Sequence, residues 1–367
     1  MFFKAIKNFT KGVLIAVNIF FIVLMLLVGY SGHLNPEEHP LLSNSGLVFP
    51  LLLVVNLAFL FFWLLVYPKG AVVPILGLLI NYVPVRTYCP LNVTKKAEPG
   101  SFKVLTFNVD VSMKEETNAQ GEVIYPALEY IKTSGADVVC VQEAYMTKGK
   151  AKTLRHTYHY ADTARNEKGG SCLTLFSKFP IIGKDHIRFK NTLNTSAAFF
   201  LNINGDTVIV INNHLESNHL SLADREGFED MANGKKESEQ ARTESKRLLE
   251  KLGDAAKKRA PQAEKVAKYI QDHRQYSIIV CGDFNDNPLS YAHKVIADGL
   301  TDCFVATGNG PGWSFSHNRI YVRIDNILCS QDIIPYQCVV DRKINVSDHY
   351  PVSCWLKIRP KSQKINN

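Results

Sequence analysis

Two kinds of pattern divide the chain. Residues 12–30 and 46–67 are uncharged, mostly apolar runs. Each is long enough to cross a hydrocarbon core of ~30 Å at ~1.5 Å per residue. Lys4, Lys7 and Lys11 precede the first, while the loop between the two carries Glu37 and Glu38 but no lysine or arginine. That asymmetry places the N-terminus in the cytoplasm and the loop outside. A signal peptide shares the basic start, but a second apolar run directly afterwards fits a retained anchor better. A third run, residues 70–85, is shorter and contains Pro74 and Pro84. If it crosses, everything after it is extracytoplasmic; if it re-enters or lies in the interface, everything after it is cytoplasmic. We expect three crossings and an extracytoplasmic C-terminal part.

From residue 102 the pattern changes to short runs, many rich in Val, Ile, Phe or Leu, separated by helical or loop stretches. Strands are expected at 102–109, 137–142, 172–177, 197–203, 207–214, 277–281, 324–329 and 353–358. A helix is expected at 125–134. A longer helical stretch at 233–273, rich in Ala, Glu, Lys, Arg and Leu, is expected to be interrupted near Pro261. Residues 90–100 read as linker. The implied organisation is an anchor at 1–88, a linker at 89–100, a soluble α/β domain at 101–360 and a polar tail at 361–367.

Composition adds little to this and removes some options. Over 367 residues, 46% hydrophobic and 21% charged is globular rather than disordered. The net charge of +8 leans towards anionic partners such as nucleic acid or a phospholipid surface. Eight cysteines in so long a chain do not make a disulfide framework, and Cys140, Cys281, Cys329 and Cys354 lie inside apolar runs as small buried side chains would.

The informative polar residues stand where strands end. Val104–Phe107 leads to Asn108; 138–141 to Gln142 and Glu143; 208–211 to Asn212, Asn213 and His214; 278–281 to Gly282, Asp283, Phe284 and Asn285. Strand ends are rigid places from which several side chains can converge. Glu143, Asp283, Asp348 and Asn108 are hard oxygen donors, which suit Mg²⁺ or Mn²⁺ rather than structural zinc. His214 and His349 offer acid–base or phosphate-binding groups near neutral pH. Such a set suits metal-assisted hydrolysis at phosphorus. Taken singly, each residue has a plainer reading: Asp325, for instance, can pair with Arg323 two positions away.

Together the motifs resemble the endonuclease/exonuclease/phosphatase superfamily, the deoxyribonuclease I-like group, over about residues 102–358. They are Thr106-Phe-Asn108-Val, Val141-Gln142-Glu143, Asn213-His214-Leu, Gly282-Asp283-Phe-Asn285, Arg323-Ile-Asp325 and Ser347-Asp348-His349-Tyr-Pro-Val. The resemblance implies a four-layer α/β sandwich, two mixed β-sheets flanked by helices, here preceded by transmembrane helices. It implies that Glu143 is the principal metal ligand with Asn108 beside it, and Asp348 a further carboxylate ligand. Asp283 and Asn285 would orient the attacking water and the phosphate oxygens. His349, held by Asp325, would be the catalytic histidine, and His214 the second one. The choice of Asp283 or His349 as proton acceptor stays open. The glutamate that supports the second histidine in deoxyribonuclease-type members has no counterpart in Gly169-Gly-Ser-Cys-Leu-Thr-Leu-Phe-Ser177.

The motif forms look most like bacterial membrane-anchored members, so an inner-membrane location is expected. The expected activity is phosphodiester hydrolysis, with nucleic acid favoured as substrate and a sphingomyelinase-like action on phospholipid head groups as the alternative. A non-catalytic binding protein on the same fold would be expected to have lost Glu143, Asp283 or His349, and all three are present. Beyond substrate and bilayer, the sequence points to no protein partner.

Overall fold

The computed structural model describes residues 2–110, 115–118, 120–218, 220–221, 223–224, 227, 238–317 and 320–360. The expected polar tail at 361–367 and the first residues of the 233–273 stretch lie outside them. In chain order the strands are β1 (Phe102–Asn108), β2 (Glu116–Thr117), β3 (Val123–Ile124), β4 (Val138–Gln142), β5 (Tyr160–Arg165), β6 (Cys172–Ser177), β7 (Ile181–Ile187), β8 (Thr195–Ile203), β9 (Asp206–His214), β10 (Ser277–Asp283), β11 (Leu300–Asp302), β12 (Phe315–His317), β13 (Ile320–Val322), β14 (Asp325–Ser330), β15 (Ile333–Val340) and β16 (Val352–Ile358).

Two six-stranded mixed sheets carry the part after residue 101, in the orders β15-β16-β1-β4-β6-β5 and β11-β14-β10-β9-β8-β7. Their facing sides share one core that includes Val104, Leu175, Phe199, Val210, Ile279 and Leu356. The outer face of the first sheet is covered by the helices Pro126–Thr133 and Lys148–Leu154, through Leu128, Ile131 and Leu154. The helices Ser238–Asp272 and Tyr291–Ala297 cover the second, through Ala263, Val266, Ile270 and Ile296. Central strands are therefore buried on both faces, which is why they read as continuous apolar runs. The eight expected strands are the four inner strands of each sheet. The four that sequence patterning missed in these sheets, β5, β7, β11 and β15, are the four edges.

The helix Ser238–Asp272 is continuous through Pro261, so the expected interruption does not occur. Pro261 sits on the exposed side, while Ala256, Arg259, Ala260 and Ala263 bury the opposite side. Water can satisfy the carbonyl that the proline leaves free, and packing of the buried face outweighs the local cost.

Two N-terminal segments, Ile6–His33 and Pro40–Val66, are helical, long and apolar enough to cross a membrane. They are tied by Asn18 Nδ2 donating to Asn56 Oδ1 at 3.4 Å, a buried polar pair of the kind used between helices in lipid. The third apolar run forms Pro68–Ile80 and Tyr82–Tyr88, bent by 70°. Asn81 sits at the bend and donates from Nδ2 to Gly77 O at 2.9 Å.

The two-sheet part rests on one end of this bundle. Leu289 packs with Met25, Val28, Phe49 and Leu52. Arg323, almost fully buried, donates from Nη2 to Thr87 O at 2.5 Å, and its guanidinium lies over the Phe304 ring. Arg323 is thus spent on the end of the last helix and does not compete for Asp325.

Candidate active site

Register across the second sheet aligns three site residues on one rung. Asp283 faces Asp325 across the antiparallel β10–β14 pair and His214 across the parallel β10–β9 pair. In the first sheet β1 and β4 run parallel, so Asn108 and Gln142 end together and Glu143 follows. Both sheets thus deliver their polar ends to the same side of the sandwich.

Backbone strain helps to aim them. Glu143 and Asn285 adopt positive φ of 58° and 53°, unusual for residues with side chains. Gly282 has φ 124°, and a Cβ there would stand 2.1 Å from Asn213 O, so only glycine allows β9 and β10 to approach.

The side chains of these residues lie close together at this end. Asn108 Nδ2 donates to Glu143 Oε1 at 3.0 Å and to Asp283 Oδ2 at 3.1 Å. His214 Nε2 lies 3.4 Å from Glu143 Oε1 and 3.9 Å from Asp283 Oδ2. Asn285 donates to both Asp283 oxygens, from its backbone N–H at 2.8 Å and from Nδ2 at 3.2 Å. His349 Nδ1 is 2.8 Å from Asp325 Oδ2, and its Nε2 is 3.8 Å from Asp283 Oδ2. Asp348 stands at the rim, 4.0 Å from His349 Nε2 and 4.0 Å from His317 Nδ1.

Several supporting contacts were not legible in the motifs, even where the residues making them were. Ser171 Oγ lies 2.8 Å from His214 Nδ1, so a hydroxyl stands where no acid could be found in that segment. Ser314 Oγ accepts from the N–H groups of Ile324 and Asp325, fixing the start of β14. Ser347 Oγ donates to Asn108 O at 2.9 Å and accepts from His349 N, which binds the last motif to the first strand. Beneath the site, Gln142 Nε2 donates to Asn212 Oδ1 at 2.6 Å and joins the two sheets. Ser171 and Ser314, outside the motifs, carry no signal until the fold places them, and Ser347 stands in the last motif without its sequence position showing what it bonds.

Electrostatics separate the two acid–base groups. Burial pushes Asp283 up to about 6; the neighbouring Asp325 adds to the rise, against His349 and His214. Burial disfavours a charged His349, but Asp325 and then Asp283 outweigh it and raise its imidazolium to about 10.

Asp283, Asp325 and His349 bring ligand atoms within 4.8 Å of one another. That cluster is a poor cation site, because His349 Nδ1 is already committed to Asp325 and the protonated ring repels a cation. Glu143 and Asn108 fit better. Here the Asn108 amide N–H group bridges the Glu143 and Asp283 carboxylates, the place where a hard cation would relieve their repulsion. Turning the amide would present Oδ1 instead.

A family model described as the endonuclease/exonuclease/phosphatase family matches residues 105–349. A second, described as a domain of unknown function, matches residues 11–88. No curated protein matches. Among solved structures, the human Nocturnin catalytic domain with bound sulfate is 17% identical, with a TM-score of 0.50 over 72% of this chain and 96% of that one. TDP2 from Caenorhabditis elegans is 15% identical, with a TM-score of 0.48 over 88% of this chain and 93% of that one. An endonuclease/exonuclease/phosphatase family protein from Bacteroides thetaiotaomicron is 15% identical, with a TM-score of 0.46 over 74% of this chain and all of that one. The first of these, at 17% identity, speaks to fold alone, whereas the family match covers most of the chain, from the first motif to His349 of the last. The chain belongs to the endonuclease/exonuclease/phosphatase family.

Proposed function

We propose that this protein is a membrane-anchored, divalent-metal-dependent phosphodiesterase. The observation that carries the reading is the convergence of Asn108, Glu143, His214, Asp283 and His349, from both sheets, within hydrogen-bonding or ion-pair reach of one another. Glu143 and Asn108, with Asp348 at the rim, would hold Mg²⁺ or Mn²⁺, which when bound polarises the phosphoryl oxygens.

The remaining chemistry falls to the chain's own groups. Asp283, raised to about 6, is a carboxylate at neutral pH and still basic enough to take a proton from water. Asn285 holds that carboxylate in place through two hydrogen bonds. His349, protonated to about pH 10, serves as a hydrogen-bonding cation on a phosphate oxygen rather than as the base. His214, turned by Ser171, presents Nε2 to the same space and suits the leaving oxygen.

The anchor supports an extracytoplasmic site. Lys11 Nζ lies 3.8 Å from the Tyr67 ring centroid, which places both at one end of the bundle. Gly29, Phe49, Pro84 and Tyr88 meet at the other end, where the soluble domain sits. The bent pair returns from the Tyr67 end to the Gly29 end, which supports reading it as the third crossing, with the domain opposite the basic N-terminus.

The test uses the full chain in detergent micelles with bis(p-nitrophenyl) phosphate, Mg²⁺ or Mn²⁺, and a phosphomonoester control. We expect metal-dependent diester cleavage and a loss of ~10²-fold or more in His349→Ala. Undiminished cleavage in EDTA, or by His349→Ala, would overturn the proposal.

A further inference from the structure

The segment that follows Asn285 is buried along its whole length. Residues 286–290 belong to no helix or strand, yet all five are buried, the polar Asp286, Asn287 and Ser290 among them. A connecting segment ordinarily lies on the surface, where water satisfies its polar groups. Here two other parts of the chain cover it, one on each side.

One cover is the helix Ser238–Asp272. Its Arg259 is 1% exposed, and a buried guanidinium persists only when its charge is paired. Nε donates to Asp286 Oδ2 at 3.0 Å, and Nη2 lies 3.0 Å from the same oxygen. Nη1 donates to Glu216 O at 2.8 Å and to Asn218 Oδ1 at 3.0 Å. The fork therefore ties the segment after Asp283 to the segment after His214. Asn218 passes the hold to the site, because its Nδ2 donates to Asn285 O at 3.3 Å. Asn285 Nδ2 in turn donates to Leu215 O at 3.0 Å as well as to Asp283.

The other cover is the pair of N-terminal apolar segments. A Cβ on Gly32 would stand 2.6 Å from Leu289 O and 2.9 Å from Ser290 O, and one on Gly46 would stand 3.0 Å from Asn287 Oδ1. Asn287, so placed, donates to Asp286 Oδ1 from its backbone N–H at 2.9 Å and from Nδ2 at 3.2 Å. One oxygen of the Asp286 carboxylate is thus held by Arg259 and the other by an asparagine packed against the anchor.

We infer that Arg259 is a positioning residue of the catalytic centre, and that the membrane anchor completes its clamp on the segment Asn285–Ser290 instead of serving as a tether alone. The inference rests on the phosphodiesterase reading and adds what keeps Asp283 and Asn285 in place. Asn285 has φ 53°, a conformation that persists only while its surroundings over-determine it. With the clamp loosened, the segment relaxes towards ordinary backbone and withdraws the two Asn285 donors from Asp283.

The experiment uses the full chain in detergent micelles with bis(p-nitrophenyl) phosphate and saturating Mg²⁺, at a temperature below the thermal transition of every variant. Arg259→Met, Arg259→Lys and Gly32→Ala are measured alone and combined with Asn285→Ala. Gly12→Ala is the control, because a Cβ there meets nothing within 4 Å. We expect Arg259→Met and Gly32→Ala each to lower kcat about tenfold or more with KM within about twofold, since a small displacement of reacting groups acts on the chemical step. Arg259→Lys keeps the charge on Asp286 without the fork and should recover part of the loss. In the Asn285→Ala background the same substitutions should cost less than about threefold more, because residues that act as one unit are not additive. If Arg259→Met does not fold, Asn218→Asp replaces it: that change keeps the acceptor for Arg259, removes the donor to Asn285 and should give the same pattern.

Losses that multiply in full in the double variants, or that fall on KM alone, would overturn the positioning role and leave the phosphodiesterase reading standing. Gly32→Ala matching Gly12→Ala and the parent would overturn the part given to the anchor. A parent that cleaves no ester with metal would remove the phosphodiesterase reading, and the positioning role with it.

Discussion

Replacing Asp325 by Asn changes one charge and almost no volume, and it acts at the contact that sets the state of His349. The Nδ1···Oδ2 distance is 2.8 Å, and both side chains are nearly buried, at 8% and 1% exposure. A rise of the histidine from 6.5 to about 10 corresponds to ~5 kcal/mol in favour of the imidazolium, an order-of-magnitude figure. Asp325 is the largest of the influences that raise it. Its Oδ1 has no hydrogen-bond partner among the described residues, which leaves an asparagine here able to turn either amide atom towards Nδ1. The variant therefore loses both the charge and the fixed acceptor for the Nδ1–H group. We expect kcat on bis(p-nitrophenyl) phosphate to fall by about 10²–10³-fold, between the usual effect of a supporting partner and that of a buried triad carboxylate.

The pH profile is the sharper readout. In the parent, activity rises through a pKa of about 6 or below as Asp283 ionises, and falls towards about 10 as His349 deprotonates. In Asp325→Asn the alkaline fall moves towards neutrality. Stability of the metal-free protein follows the same sign. A histidine raised on folding contributes stability that is fully present below ~6.5 and lost as pH rises through about 10. The variant should lack that decline. More than a tenth of the parent kcat together with an unmoved alkaline limb would refute the reasoning.

Gly282→Ala puts a Cβ 2.1 Å from Asn213 O at a φ of 124°; we expect a loss of about 3 kcal/mol or more, or failure to fold, seen in thermal unfolding and yield. Ser171→Ala removes the hydroxyl on His214 Nδ1 and should lower kcat about tenfold, with partial recovery in Ser171→Thr. Pro261→Ala on the exposed side of a continuous helix should stabilise by about 1–3 kcal/mol, read as a raised Tm with unchanged activity.

The sequence by itself determined the inner half of this protein. Strands buried on both faces must be apolar throughout, so the four central strands of each sheet were legible. Their polar ends stood out as breaks, and Asn108, Glu143, His214, Asp283 and Asn285 were found there. Edge strands answer to a weaker constraint. Tyr160–Arg165 has only Ala164 buried and Ile333–Val340 contains Pro335, so neither shows an apolar run. Pro261 misled because propensity acts on a single residue, whereas the buried face of a long helix acts on many.

Tertiary structure alone decided the rest. Register put Asp283 on one rung with Asp325 and His214, residues 42 and 69 positions away by number. Arg323 was drawn to Thr87, which lies in a different part of the chain, and that left Asp325 to His349. The contacts of the serines that orient the site are relations between distant segments. No local pattern records them, because they cost and gain free energy only once the chain has folded.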